Sequence, residues 1–141
     1  MGLIHWGDAT MNILVVQDNT DLGEIWSRFL TRRGMEVDLA STEAEAIELL
    51  SSQDYDCMIV EPALKDGGGI PVTDFATYRN PDISILAVTK STFFSDGSIF
   101  AMIPNARGFL RTPVRPDDIG AYMDHFRDMA AARAQRMASS G

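Results

Sequence analysis

Five short apolar runs, each followed by a stretch with helical spacing, constrain this chain more than any single residue does. The runs are NILVV at 12–16, EVDL at 36–39, CMIV at 57–60, ISILAV at 83–88 and GFLR at 108–111. Between them apolar side chains recur three and four residues apart, the spacing that lines one face of a helix. A chain that alternates strand and helix in this way is predicted to build a parallel sheet, since parallel neighbours need a long crossover and helices serve as that crossover. With right-handed crossovers the helices fall on both faces, giving a doubly wound, five-stranded parallel α/β domain. At 141 residues the chain suits one such domain better than two.

Local signals refine the outline. Asp21 with Glu24 reads as the opening of a helix over 21–33, with Leu22, Ile25, Trp26, Phe29 and Leu30 on one face and Gly34 as its stop. Thr42 with Glu45 opens the run EAEAIELLSS. Strand 57–60 enters a turn carrying Pro62 and then Gly67, Gly68 and Gly69. A helix is predicted over 70–79, weakened by β-branched Val72 and Thr73, and another over 92–104, interrupted by Gly97 and Ser98. Pro116, Asp117 and Asp118 suit the first turn of a closing helix whose apolar positions are Ile119, Met123, Phe126 and Met129. The organisation predicted is a leader at 1–11, one domain at 12–129 and a helical extension or frayed tail at 130–141.

Charge and cysteine content narrow the function classes. Twelve Lys and Arg stand against twenty Asp and Glu, a formal net charge of −8, which repels nucleic acid and anionic membrane surfaces. The single cysteine, Cys57, cannot form an internal disulfide, and its place in an apolar run suits a buried thiol in a reducing compartment. No run is long enough to span a membrane and the opening MGLIHWGDAT lacks the pattern of a signal peptide, so a cytoplasmic location is expected. His5 and Trp6 belong to the leader, and with His125 they make no zinc pattern.

In a doubly wound sheet, sites form beyond the carboxyl ends of the strands. Gln17 and Asp18, Glu61, Thr89 and Thr112 all follow strands and can share one crevice. Each has a plain structural reading beside the functional one. Asp18 can simply bond its own loop, Thr89 can satisfy strand-end backbone groups, and Phe109 can be a core aromatic. The glycines at 67–69 lack the Walker pattern and read first as a turn.

The phrases ILVVQDN, EAEAIELL, CMIVEPAL, ILAVT and ARGFLRTPV, in that order from about Asn12 to Asp128, resemble the receiver domain of bacterial two-component response regulators. The resemblance implies a flavodoxin-like sheet of strand order 2-1-3-4-5. It also implies a phosphoryl switch: an aspartate after the third strand, magnesium on an acidic pair after the first, a hydroxyl after the fourth and a lysine after the fifth. Here the acceptor position holds Glu61, the acidic pair is Gln17 and Asp18, the hydroxyl is Thr89 and the lysine position is Thr112. Phe109 stands at the switch aromatic without a hydroxyl, and the resemblance implies a cis bond before Pro113.

These departures change what the resemblance implies. Magnesium favours charged oxygens, so Asp18, Glu61 and the Ala63 carbonyl would hold it only weakly and no cofactor is expected. Glu61 reaches one methylene farther than aspartate, and loss of the lysine removes the cation that would balance developing phosphoryl charge. Lys65 and Lys90 are candidates to neutralise Glu61 from neighbouring positions, whereas Arg111 should face away from Thr112. The function expected is a phosphorylation-independent regulatory module, not an enzyme, acting as a homodimer or on a protein partner through the face of the fourth helix, fifth strand and fifth helix. Two alternatives stand beside it: a true phosphoacceptor with an altered magnesium site, and a small α/β enzyme using Asp18 and Glu61 as acid and base.

Overall fold

Burial of both faces of the central strands organises the domain. The structure, a computed structural model, describes residues 10–140; the leader positions His5 and Trp6 lie outside the described residues. In chain order the elements are β1 Asn12–Val16, α1 Thr20–Arg32, β2 Glu36–Ala40, α2 Glu43–Ser52, β3 Cys57–Val60, α3 Gly69–Arg79, β4 Ser84–Thr89, α4 Asp96–Met102, β5 Ala106–Arg111 and α5 Pro116–Ser140. The sheet is parallel throughout with order β2-β1-β3-β4-β5, as the resemblance implied.

Every residue of β3 and of β4 is buried, so each strand supplies side chains to two cores by strict alternation. Leu14, Val16, Met58, Val60, Ile85 and Ala87 face Ala46 and Leu50 of α2, Val72 and Ala76 of α3 and Ile99 of α4. Ile13, Val15, Ile59, Leu86 and Val88 face Trp26 and Leu30 of α1 and Ile119, Met123 and Phe126 of α5. Cys57 belongs to this second core, where burial pushes its thiol pKa up and leaves it a packing group. Strand β2 at the edge is the more exposed one, as its mixed sequence predicts.

Helix starts depart from expectation in informative ways. Asn19, in extended conformation at the exit from β1, caps α1 by accepting from the Leu22 N–H at 3.1 Å, which moves the start to Thr20 and puts Asp21 inside the first turn. Glu24 is then free to pair with Arg28 one turn on. Ile25 is 47% exposed because Gly23, Trp26 and Leu30 define the inward stripe, and Ile25 falls about 100° beyond it. Thr42 caps α2 as predicted, but the Glu45 carboxylate reaches the N–H and hydroxyl of Ser41.

The fourth helix is a correction in length, covering Asp96–Met102 where 92–104 was predicted. Ser95 and Ser98 form a reciprocal capping box, so Gly97 and Ser98 open the helix rather than interrupt it. At the other end Pro104 drives Ile103 into extended backbone. Small shifts elsewhere follow the ladder: β4 reaches Thr89, and β5 starts at Ala106 with a register irregularity that passes over Arg107.

Asp66, in the turn after β3, ties that turn to α2 by accepting from the N–H groups of Glu43 and Gly68, both at 2.8 Å. The Glu43 bond first, and the Gly68 bond second, hold its carboxyl below the ordinary value of 3.8. A carboxyl depressed in the fold adds stability above its unfolded pKa and loses it as pH falls through the folded one. Asp66→Ala is therefore expected to flatten the fall in melting temperature as pH drops below about 4, read by thermal melts on the acid side. Truncating the wholly buried Leu86 to alanine should cost about 2–5 kcal/mol by urea unfolding.

Candidate functional site

The strand register brings the site together before any side chain is considered. Val16 pairs with Val60, so the chain leaves β1 and β3 at the same level and sets Gln17 and Asp18 beside Glu61. Beyond these ends lies a cavity of about 260 Å³, whose walls include Gln17, Asp18, Glu61, Ala63, Lys65, Lys90 and Thr112. Thr89 and Phe109 are not in its walls.

Glu61 is 5% exposed and its carboxylate is held by backbone donors from two loops. Oε2 accepts from the Ala63 N–H at 2.9 Å, and Oε1 accepts from the Lys90 N–H at 3.4 Å, a long and weaker bond. Lys65 and Lys90 line the cavity, yet among the described residues neither ammonium forms an ion pair with Glu61. The expected charge compensation is thus made by peptide dipoles: the backbone of Lys90, not its side chain, meets the carboxylate.

The pair after β1 is likewise occupied. Gln17 is 6% exposed and its Oε1 accepts from the Asn19 N–H at 2.9 Å. Asp18 Oδ2 accepts from the Lys65 N–H at 2.7 Å, so it binds the loop after β3 rather than its own. Thr89, fully buried, turns its hydroxyl to the Ser91 N–H at 3.0 Å. Thr112 lines the cavity and donates its N–H to the Thr89 carbonyl, and the bond to Pro113 is cis.

The glycine run answers to geometry. Gly67 adopts φ +81°, a left-handed conformation that L side chains rarely take. A Cβ on Gly69 would stand 2.4 Å from the carbonyl oxygen of the buried Pro62, so α3 can begin directly under the Glu61 loop only with glycine there.

A hard dication is a poor fit to these donors. Its ligands would be Asp18, Glu61 and the Ala63 carbonyl. Both Glu61 oxygens and one Asp18 oxygen are already turned to N–H groups, and two lysines border the same space. No cluster of three His, Cys, Asp or Glu able to hold a metal occurs among the described residues. Glu61 is thus a buried carboxylate that accepts one backbone N–H on each oxygen.

Arg111 is the residue that sequence reading set aside. It does leave the cavity, as alternation along β5 requires, but its guanidinium lies 5.3 Å from the centre of the half-buried Phe109 ring. It donates to the carbonyl of Ser91 and, at 2.6 Å, to that of Phe94. The signal was the two-residue spacing that puts positions 109 and 111 on one face.

The family model described as the response regulator receiver domain matches residues 13–124. The response regulator protein PilR of Pseudomonas aeruginosa is 29% identical over 101 residues, which are 72% of this chain and 22% of PilR. The transcriptional regulatory protein CusR of Escherichia coli K12 is 32% identical over 79 residues, which are 56% of this chain and 35% of CusR. The chain therefore spans well under half the length of these relatives. Among solved structures, the receiver domain of a Vibrio parahaemolyticus LuxO repressor protein superposes with TM-score 0.78 at 19% identity, covering 89% of this chain and 96% of that one. The Thermotoga maritima response regulator TrrA, in complex with Mg(2+)-BeF, gives 0.70 at 24% identity, with 83% and 99% covered. These two likenesses concern the fold. Sheet order, strand-end site and family match agree: this chain belongs to the receiver domain family of two-component response regulators.

Proposed function

We propose that this receiver domain is a phosphorylation-independent regulatory module that acts through protein contacts. The observation that carries the reading is the bridge made by Glu61, whose two oxygens accept from the backbone N–H groups of Ala63 and Lys90. An anion added at this strand end would need those same donors. Glu61 already supplies negative charge there, tied to the loops after β3 and β4. The reading is further supported by Gln17 and Thr112, which remove a charged metal ligand and a cation from the positions where the family's phosphoryl chemistry uses them.

Output is assigned to the face of α4, β5 and α5, with a second copy of the chain or a regulatory protein as the partner. Phe93, Phe100 and Met102 are exposed by 81%, 44% and 40% on or next to α4, an apolar group of a kind associated with recognition. The net charge of −8 disfavours direct contact with nucleic acid by this chain. No helix among the described residues is long and apolar enough to cross a membrane. Acid–base catalysis by Asp18 and Glu61 is disfavoured by their engagement with backbone donors.

Amide NMR spectra recorded with magnesium and then with added beryllofluoride, an analogue of the phosphoryl group, are expected to leave Asp18, Glu61, Thr89 and Phe109 in place. Clustered shifts at these positions that need both additions would establish a working phosphoacceptor instead. Glu61→Ala strands two loop donors and should lower stability by about 1–3 kcal/mol in urea unfolding. Glu61→Gln, which keeps an acceptor oxygen, should lose less.

A further inference from the structure

We infer that Arg111 is a latch on the segment between β4 and α4, and that it decides which of two adjacent phenylalanines is displayed. This segment, 90–95, links the site to the proposed output face. Its N–H groups are taken by side chains at the site end: Glu61 accepts from Lys90, Thr89 from Ser91 and Ser91 from Phe93. Two of its carbonyls, those of Ser91 and Phe94, are taken by one guanidinium from β5.

The planar fork of arginine suits this task, because it can donate to two carbonyls while its central carbon stands over the Phe109 ring. Phe94 beside it is 6% exposed and belongs to the core over α2, α3 and α4, whereas Phe93 is 81% exposed. The two rings meet edge to face at 5.0 Å. A slip of one residue in the segment would carry Phe93 into the buried place of Phe94 and Phe94 into the exposed place of Ser95. By gripping the carbonyls of Ser91 and Phe94, Arg111 holds Phe94 in and Phe93 out.

The register of β5 makes the latch reachable. The irregularity at Arg107 brings Arg111 opposite Thr89, the last residue before the segment. The regulatory meaning of the latch rests on the phosphorylation-independent reading, since it holds the output face without a phosphoryl group. The latch itself rests only on contacts within the chain.

Hydrogen exchange on the full chain, with neither magnesium nor beryllofluoride added, separates the two ideas. Arg111→Ala is expected to speed exchange at the Ser98 and Ile99 amides, which bond to Ser95, by roughly 10- to 100-fold, the loss typical of a charged hydrogen-bonding group. Protection at Val60 and Leu86 in the central strands should hold. With 4-fluorophenylalanine incorporated, the fluorine signals of Phe93 and Phe94 should shift or broaden in Arg111→Ala and not in Arg115→Ala, a change at an exposed arginine beyond the strand. Unchanged exchange at Ser98 and Ile99 would overturn the latch. So would equal loss at Val60 and Leu86, which would mean general destabilisation, or equal effects of the two arginine substitutions.

Discussion

The domain depends on one constraint: the two central strands are buried on both faces, so no polar side chain can leave them sideways. Ser84 and Thr89 stand at the two ends of β4, and between them every residue is apolar. Polar function is therefore pushed to the carboxyl ends, where the chain turns outward and backbone N–H groups lose their ladder partners. An acceptor placed there is stabilised whatever its evolutionary origin. Glu61 occupies that position, and its burial is tolerated because backbone donors from two loops solvate it in place of water.

The same logic recurs around the site. Asp18 accepts from Lys65, Asp66 from Glu43 and Gly68, and Glu61 from Ala63 and Lys90, so carboxylates of one segment repeatedly satisfy amides of another. Arg111 does the complementary work for carbonyls. The loops at this end of the sheet are thus cross-tied by the protein's own side chains.

Much of this was legible in the chain itself because it depends on period and order. Short apolar runs at 12–16, 57–60 and 83–88 mark buried strands, and Asn19 and Pro62 mark the exits of the first two. Positions following strands must gather at one edge, so Gln17, Asp18, Glu61, Lys65, Lys90 and Thr112 come to border one cavity. Less legible were the caps. Asn19 displaced Asp21 as the start of α1, and Ser95 with Ser98 shortened α4, because several polar residues near a helix start can cap it and only the path of the preceding strand selects one.

What the sequence determined alone is the alternation of strand and helix and the identity of the residues at each strand end, Gln17, Glu61 and Thr112 among them. These are local facts, carried by side-chain type and spacing. Only the tertiary structure decided who bonds to whom. Asp18 and Lys65 are 47 positions apart, and Glu61 and Lys90 are 29 apart, so their pairing follows from sheet register and loop path. Arg111 turned from a bystander into a loop-holding group because β5 shifts its register at Arg107. Hydrogen bonds are directional and short-ranged, and no pattern along one chain encodes which distant amide will arrive within their reach.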